Sequence, residues 1–573
     1  MKLQRYNTDV LVIGGGGAAT ASTIAAHDAG ARTMLAVKGR RGIPGVRGAG
    51  ASSNPMGDFW TIRTGGPIGG FFNPPELVHA DMLQSGLGMA DPALCQIFVD
   101  EVSDAVKRLQ SMGMRFQSKM LATMEGHKSD LKTNRIVAVQ KAVIEGTNTQ
   151  VLEHANFTDL VVDNGRCIGA VGVTDDGEPV VVEAGAGVIA TGGGGQLFTY
   201  SFNPPGNTGD GYAMAARAGA DLFNMEYMQQ GLATTWPQQA IVMLYEMEEP
   251  YRLINKCGKS FLQDYYPDAD SMIEGCNLKA AHWPVSCRDA SLHIDRAIKN
   301  EVLAGRGTEN NAVFLDLSHA TRGFKHELFE SFMIDNGIDI KNDLVQVQIH
   351  HHSSNGGIRI DERAESTVSG LYAVGEAGGW QGADRLGGTM LGGSQVFGWR
   401  AGRFAGEQCS SRPQVSISDD DALAHFDALR TFQKAKGDVD INTMRRELQY
   451  TMWKLLTVEK DASTLAEARD YIAADRQRLN EQLAIREPLD YALAYEQRNL
   501  HDVAEVIIEA ADMRKESRGA HYRSDYPERD DTNWLTNLFA THKNGALEVR
   551  REWINEANGW EDDPDDIRIS PWG

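Results

Sequence analysis

The chain has 573 residues, enough for roughly two to four domains, and 42% hydrophobic with 23% charged residues is a composition typical of folded proteins. Acidic residues outnumber basic residues by 78 to 56, which gives a formal net charge of −22. A surface of this charge repels nucleic acid and anionic membranes, so we expect neither as a partner.

The six cysteines form no Cys-x-x-Cys pair and no ferredoxin-like spacing, so the sequence indicates no iron–sulfur cluster or zinc site of its own. Scattered single cysteines suit a reducing compartment. No apolar run reaches about 18 residues, the usual lower limit for a spanning helix, and no charged-then-apolar leader precedes the first strand. We therefore expect a soluble, cytoplasmic protein without direct membrane insertion.

The N-terminal segment is predicted to form a strand, a glycine turn, a helix and a second strand. The apolar run Val10–Ile13 predicts a buried strand, an alanine-rich helix follows to about Ala29, and Thr33–Val37 predicts the next strand. This order of elements is the context in which a glycine-rich turn binds the pyrophosphate of a dinucleotide.

The turn itself has the G-x-G-x-x-A spacing, in Gly14, Gly16 and Ala19. Its first glycine allows the tight turn, its second lets a pyrophosphate approach the backbone, and the helix N-terminus supplies a positive dipole end. Lys38 follows the second strand, where an acidic residue usually holds the ribose. The sequence predicts a bound dinucleotide, and Lys38 leaves open which one.

Two further segments repeat the junction of strand and glycines. They are Gly187–Phe198, followed by a helix from Thr208-Gly209-Asp210-Gly211 to about Ala220, and the strand Leu371–Val374 with Gly375-Glu376 and a long helix that carries Phe397 and Phe404. Three such junctions so far apart predict one binding domain assembled from distant segments, with an insertion between about residues 230 and 350. From about Ser416 helical periodicity takes over, and three antiparallel helices are expected.

These segments together resemble the flavoprotein subunits of the succinate dehydrogenase and fumarate reductase family, which includes L-aspartate oxidase and adenylylsulfate reductase. The residues that carry the resemblance are Thr191-Gly192-Gly193, Thr208-Gly209-Asp210-Gly211, Met225-Glu226, Gly375-Glu376 and, most specifically, Arg514–Leu535. The resemblance implies an α/β + α fold, in which a Rossmann-like FAD-binding domain carries an inserted α+β capping domain and a C-terminal helical bundle domain. The expected boundaries are 1–235 and 351–415 for the FAD-binding domain, 236–350 for the capping domain, and 416–573 for the helical domain and tail.

FAD is the cofactor that the resemblance implies, and a lysine at the end of the second strand is usual in the family. Covalent members attach FAD through a histidine after that strand, but Gly39–Pro55 contains none, so we expect non-covalent FAD. The residues expected to bind the cofactor are Gly14, Gly16, Gly17, Ala18, Ala19, Lys38, Thr191, Gly192, Gly193, Asp210, Glu376, Arg385, Gly388, Thr389 and Leu391.

Three consecutive histidines precede the glycine pair at Gly356. The resemblance assigns substrate binding to His352 and to Arg385, in an Asp-Arg-Leu-Gly segment where the family has asparagine first. A guanidinium suits an anion because it pairs two oxygens in one plane and stays charged. A metal site is the alternative, but only His350 and His352 would share a face of an extended segment, and we expect no metal.

The family's proton-donating arginine opens a helix of the capping domain. Arg288 is the first candidate and Arg296 the second, since Arg288 stands about one turn early. The alternative for either arginine is a surface ion pair.

The segment after Glu226 departs from the family, because the usual substrate-binding histidine is absent before Pro237. Gln229, Gln230 and Thr234 are the polar residues left as candidates for that wall. The expected activity is hydride transfer between flavin and a small anionic substrate, a succinate-like or fumarate-like carboxylate, with electrons relayed to or from a ferredoxin-like iron–sulfur partner. The alternatives are a catalytic subunit like that of adenylylsulfate reductase, an L-aspartate oxidase-like oxidase using dioxygen, and a flavin-bearing binding protein without activity.

Overall fold

The computed structural model describes most of the chain. The described residues are 3–41, 47–48, 50–53, 61–62, 66–68, 71–73, 75–118, 122–124, 135–240, 252–282, 284–318, 334, 337–339, 342–409, 415–543 and 545–554. The segment Gly39–Pro55, examined for covalent attachment, lies partly outside them. None of the helices within these ranges has the length and apolarity to cross a membrane.

The helices of these residues are α1 Gly17–Asp28, α2 Pro75–Ser85, α3 Pro92–Ser111, α4 Ile136–Glu145, α5 Asp210–Arg217, α6 Ala269–Ala281, α7 Leu292–Glu301, α8 Thr389–Cys409, α9 Asp419–Ala424, α10 Asp427–Lys434, α11 Ile441–Leu456, α12 Ala462–Gln482, α13 Leu489–Met513 and α14 Asp531–Trp534.

The strands are β1 Gln4–Ile13, β2 Thr33–Val37, β3 Thr61–Ile62, β4 Gly66–Ile68, β5 Phe71–Asn73, β6 Phe116–Ser118, β7 Ala122–Met124, β8 Gln150–Glu153, β9 Ala155–Asp163, β10 Arg166–Thr174, β11 Pro179–Ile189, β12 Leu222–Phe223, β13 Met228–Trp236, β14 Arg252–Ile254, β15 Val313–Asp316, β16 Val345–Ser354, β17 Gly357–Arg359, β18 Leu371–Ala373, β19 Gly378–Gly379, β20 Thr536–Lys543 and β21 Ala546–Trp553.

The largest sheet is assembled from distant segments, as the three glycine junctions predict. Its order is β8-β2-β1-β11-β10-β9, and β18 pairs with the end of β11. The strands β8, β2, β1, β11 and β18 run parallel, so the turns that follow β1, β11 and β18 lie at the same edge. Val10–Ile13 is buried from end to end, as expected for a parallel strand covered on both faces.

Helices α1 and α8 cover this sheet and pack directly on each other. A Cβ atom on Gly398, Gly402 or Gly406 of α8 would lie 2.9, 2.2 or 3.0 Å from the carbonyl oxygens of Ala18, Ser22 and Ala26, respectively. Both numberings rise together, so the helices are parallel. Glycine every fourth residue therefore forms the face on which the two backbones approach closely.

Two smaller sheets complete the frame. The antiparallel sheet β13-β16-β15-β14 carries the histidine segment, and the sheet β19-β17-β12-β20-β21 joins residues near the C-terminus to strands from the first two thirds of the chain. In addition to the expected helices α11, α12 and α13, the C-terminal region contains the hairpin β20–β21, which packs against α13. Its sequence signal is Asn544-Gly545 between two segments with β-branched and aromatic residues.

Candidate functional site

His352 lies at a bulge in β16. Gln229 of β13 pairs with Ser353 and Gln230 pairs with His351, so the register of the ladder skips from one to the other across His352. Its carbonyl instead accepts a hydrogen bond of 3.0 Å from the side chain of Asn203. Bulges redirect a side chain, and here the imidazole of His352 reaches Arg385 on a separate segment.

The contact between His352 and Arg385 fixes the tautomer of the imidazole. Nη2 of Arg385 lies 2.9 Å from Nδ1 of His352. Because a guanidinium only donates, Nδ1 must accept and the ring proton belongs on Nε2. Burial, together with the charge of Arg385, holds the pKa of His352 well below its usual value, so the ring is neutral at physiological pH.

Arg385 is a buried cation whose contacts are uncharged. Besides His352 it donates to the Leu386 carbonyl at 3.3 Å, and its Nε has no partner among the described residues. Burial lowers the pKa of Arg385 to about 10, partly opposed by Glu376, so the guanidinium stays charged at neutral pH. A buried charge of this kind is costly until an anion pairs with it, which makes this position suited to an anionic ligand.

Arg288 forms an ion pair with Asp384, the residue that precedes Arg385 in the chain. The carboxylate of Asp384 pairs with Arg288, whose Nε lies 3.1 Å from Oδ2, and accepts a hydrogen bond of 2.6 Å from Ser286. Burial lowers the pKa of Arg288, but the charge and hydrogen bond of Asp384 and the charge of Asp289 together raise it above its usual value. The structure therefore brings His352 and Arg385 together, and it pairs Arg288 with Asp384, the residue before Arg385 in the chain.

Arg296, the second candidate for the acid, lies elsewhere. Its guanidinium binds Glu459 at 2.7 and 3.0 Å and stands over the ring of Tyr522, 5.4 Å from the ring centre. These contacts join helix α7 to the helical region. Arg288 is thus the arginine of the two whose ion-pair partner, Asp384, adjoins Arg385 in the chain.

The three wall candidates separate. Gln229 lies at the site, with Nε2 donating to the Arg385 carbonyl at 3.2 Å and Oε1 3.3 Å from Nδ1 of His352. Both atoms of that last contact accept when Arg385 donates to Nδ1, so the bond to Arg385 is the one we assign. Gln230 points away and accepts from Val458 N at 2.8 Å, and Thr234 donates to the Gln238 carbonyl at 2.6 Å.

His350 and His351 take part in aromatic packing. His350 shares the Phe202 ring with His352, which confirms that these two lie on one side of the strand. His351 stacks on Phe198 with ring centres 5.0 Å apart. Burial lowers the pKa of His350 to about 4 and that of His351 to about 3, so both are neutral. In the described part of the chain, no three His, Cys, Asp or Glu side chains group as metal ligands.

The turn before α1 has the form expected of a pyrophosphate cradle. Gly14 has φ +140°, and a Cβ there would lie 2.1 Å from the Ala190 carbonyl oxygen. Helix α1 begins at Gly17 with no side-chain cap and no acid in its first turn, and Ala18 and Ala19 are buried. The N–H groups of Gly14 and Gly17 already donate, to the Ala36 carbonyl oxygen and to Ser52 Oγ, so the rest of this turn and the dipole of α1 are what it offers to an anion.

Lys38 and Asp210 bind each other. Nζ of Lys38 lies 2.6 Å from Oδ2 of Asp210, 2.5 Å from the hydroxyl of Thr208 and 3.3 Å from Glu496 of α13. The two residues join the second strand, helix α5 and the helical region beside the cradle. The positive charge that follows β2 is thus matched within the chain.

Glu376 is the buried carboxyl group of the site. It accepts from the backbone N–H of Ser354 at 3.0 Å, and a Cβ on Gly193 would lie 2.1 Å from its Oε1. Gly192 has φ +73°, so the turn after Thr191 requires glycine where it passes the carboxyl group. Burial raises the pKa of Glu376 to about 7. A carboxyl group that is neither fully ionised nor ion-paired suits a sugar hydroxyl as its partner.

The start of α8 lies beyond the start of α1 in the same direction. Gly398, the tenth residue of α8, packs beside Ala18, the second residue of α1. At about 1.5 Å per residue, α8 therefore begins about 12 Å further along. Gly388 has φ +82° there, the hydroxyl of Thr389 donates to the Leu386 carbonyl at 2.8 Å, and Leu391 is half-buried.

These features fit FAD. The turn before α1 would hold the pyrophosphate, Glu376 a hydroxyl of the ribityl chain, and the start of α8, near Arg385, the flavin ring. The sequence analysis did not identify Asp384 and Ser286 as parts of the site. The signal for Asp384 was its place beside Arg385, where it replaces an asparagine with a charged residue.

Two sequence families match the chain. The family described as "FAD binding domain" matches residues 9–391, and the one described as "Fumarate reductase flavoprotein C-term" matches residues 445–559. The two matches cover the segments that form the largest sheet and the C-terminal helices.

The similarity to known proteins extends over most of the chain. One subunit of the fumarate reductase (CoM/CoB) of Methanothermobacter marburgensis is 29% identical, covering 92% of this chain and 96% of that protein. The L-aspartate oxidase of Streptomyces coelicolor is also 29% identical, covering 92% of this chain and 90% of its own. Mycobacterium smegmatis Sdh1 in complex with UQ1 superposes with a TM-score of 0.80 at 26% identity, covering 96% of this chain and 94% of that one.

Proposed function

Because this chain belongs to the fumarate reductase and succinate dehydrogenase flavoprotein family and is an FAD-dependent oxidoreductase, we propose that its substrate is a small anionic carboxylate. When bound, FAD supplies the chemistry of hydride transfer. The protein residues bind the substrate, orient it and handle the proton.

The observation that carries this proposal is the buried guanidinium of Arg385. It lies beside neutral His352, and the groups that it contacts carry no negative charge. A substrate carboxylate would compensate this charge in a bidentate arrangement. His352, with its ring proton on Nε2, would donate a hydrogen bond to the substrate.

Arg288 is the proposed proton donor. It is the candidate whose ion-pair partner adjoins Arg385 in the chain, and Asp384 and Ser286 hold its guanidinium in one orientation. Because Asp384 raises the pKa of Arg288, the charged form is the resting form at all physiological pH values. A proton given to the substrate would therefore be regained from the surroundings before the next turnover.

We also propose that FAD is bound without a covalent link and that an iron–sulfur partner exchanges electrons with the chain. The first proposal rests on the absence of histidine from Gly39–Pro55. The second rests on the family resemblance and on the lack of cluster-type cysteine spacing in this sequence, and the Methanothermobacter relative is itself named as one subunit of its enzyme. Rapid peroxide formation by the isolated chain in air, with substrate and no partner, would argue for an oxidase instead.

The test of the proposed function is anaerobic. The purified holoenzyme is first checked for flavin release on acid precipitation. It is then photoreduced and mixed with fumarate, monomethyl fumarate or crotonate, while the flavin absorbance is followed. We expect reoxidation by at least one unsaturated carboxylate. No reoxidation by any of them, in protein that ferricyanide reoxidises, would reject a carboxylate substrate.

The substitution Arg385→Ala should remove most of this activity. Loss of a buried charge that pairs with the ligand costs about 2–5 kcal/mol, so kcat/KM should fall by about 30-fold or more. Arg296→Ala is the matched control, because it removes a capping-region arginine bound to Glu459 and should leave kcat/KM within about threefold. If Arg296→Ala abolishes turnover while Arg288→Gln does not, the proton donor has been assigned to the wrong arginine.

A further inference from the structure

Asp384 adds a negative charge at a position where the family has a neutral asparagine. Its carboxylate pairs with Arg288 and accepts from Ser286. The Asp384 side chain is 4% exposed and that of Arg288 is 20% exposed, so solvent screens this pair only weakly. The positive charge of Arg288 is therefore compensated before any substrate binds.

Arg385 is left as the cation of the site without a paired carboxylate among the described residues. His352 is neutral and Gln229 is an amide. Glu376 accepts from the backbone N–H of Ser354, and because burial raises its pKa to about 7, its charge compensates Arg385 only in part. One uncompensated positive charge balances one negative charge. A second carboxylate directed at Arg288 would have to compete with Asp384 and would lie close to a like charge.

We propose that the site selects a monoanionic unsaturated or saturated carboxylate over a dicarboxylate, and that Asp384 is the residue that sets this preference. This inference rests on the proposed function and specifies its substrate class. The preference arises from repulsion. The buried carboxylate of Asp384 already pairs with Arg288, and it repels a second carboxylate of the substrate. Arg385 alone then anchors the substrate.

The test compares fumarate with monomethyl fumarate, which has the same carbon skeleton and double bond but one charge less. Reduction of the double bond takes one hydride, with its two electrons, from the reduced cofactor at one carbon and one proton at the other, and the cofactor is oxidised. With the photoreduced holoenzyme we expect kcat/KM to be at least about tenfold higher for monomethyl fumarate. Crotonate has a methyl group in place of the second carboxylate and shows whether the ester itself matters. Its kcat/KM should also be higher than that of fumarate.

The substitution Asp384→Asn keeps the size and removes the charge. Arg288 is then free to pair with a second substrate carboxylate, so the ratio of kcat/KM for fumarate to that for monomethyl fumarate should rise by about tenfold or more. Glu459→Gln is the control, since it breaks an equivalent ion pair with Arg296 outside the site, and it should leave the ratio unchanged. General damage to the fold would lower both rates without changing their ratio.

Each outcome decides between the two proposals. Fumarate preferred by the wild-type enzyme overturns the charge selection but keeps a carboxylate substrate. If neither acid reoxidises the flavin while ferricyanide still does, both proposals are overturned. If Asp384→Asn does not fold, the dissociation constants of succinate and monomethyl succinate for the oxidised wild-type holoenzyme, read from the flavin spectrum, carry the test. Tighter binding of the monoester supports the inference, and tighter binding of succinate overturns it.

Discussion

The carboxyl group of Glu376 shows how single residues of this site are held away from their ordinary chemistry. Its hydrogen bonds come from the backbone of Ser354 and Gly193, and burial disfavours its charged form. The same effect keeps His352 neutral. At the scale of the residue, burial sets which groups carry charge, and Arg385 remains charged because its ordinary pKa is so high.

Glu376 should make the flavin-free protein less stable as pH rises. Its pKa is raised from 4.5 to about 7, so the folded chain retains a proton that the unfolded chain releases above about pH 4.5. Stability is therefore lost between about pH 4.5 and 7, on the order of 3 kcal/mol. Denaturant unfolding at pH 5 and pH 8 should show this loss in the wild type and not in Glu376→Gln. Exposed Glu362→Gln is the control, and parallel pH curves for Glu376→Gln and the wild type would contradict the assignment.

Helices α1 and α8 are the elements that place the cofactor cradle relative to the rest of the site. Their close approach depends on Gly398, Gly402 and Gly406, which face backbone carbonyl oxygens of α1. Because the helices are parallel and offset by about 12 Å, two positive helix ends point toward the same edge of the sheet at different depths. The spacing of the glycines thus determines where the two ends lie.

Gly402→Ala should therefore destabilise the protein, although alanine is the better helix former by about 1 kcal/mol. The new Cβ would lie 2.2 Å from the Ser22 carbonyl oxygen, a backbone atom that cannot turn aside. We expect a net loss of about 1–3 kcal/mol in the free energy of unfolding and faster loss of flavin. Thermal and denaturant unfolding, with flavin fluorescence, measure both. Arg403→Ala on the exposed side of α8 should change neither, and an unchanged or more stable Gly402→Ala would refute the packing argument.

A buried ion-pair chain links the C-terminal region to the flavin-binding half at the scale of the whole molecule. Nε of Arg514 lies 2.7 Å from Glu226, and its other nitrogens bind Glu516 at 2.9 Å and the Thr536 carbonyl at 2.9 Å. Arg514, Glu226 and Glu516 are fully buried. The segment that carried the family resemblance is thus a structural link between two halves of the chain.

Arg514→Ala should cost about 3–5 kcal/mol, because it leaves Glu226 buried without its cation and Glu516 with Arg518 alone. Arg529→Ala removes a more exposed pair with Asp531, at 29% and 34% exposure, and should cost less than about 1 kcal/mol. Denaturant midpoints of the two variants give the comparison. Equal losses would mean that burial does not determine the strength of these pairs.

The parts of the fold that depend on local pattern could be predicted from sequence. Thr33–Val37 follows from an apolar run, the helix that ends near Ala29 from an alanine-rich segment, and the cofactor turn from glycine spacing. The bulge at His352 could not be predicted, because it depends on the register of β13 against β16. The pairing of Asp384 with Arg288 joins residues 96 positions apart and becomes visible only in the folded chain.

The pairing of β12 with β20 has a consequence for how the protein is made. Strand β20 begins at Thr536, about 300 residues after β12 has left the ribosome. At a translation rate of about 5–20 residues per second, about 15–60 s pass between the synthesis of β12 and that of β20. Helix α8, which completes the cofactor cradle, also appears late in translation. During that interval nascent chains expose an unpaired strand edge to one another, so crowded polysomes and fast overexpression favour aggregation before the last strand arrives.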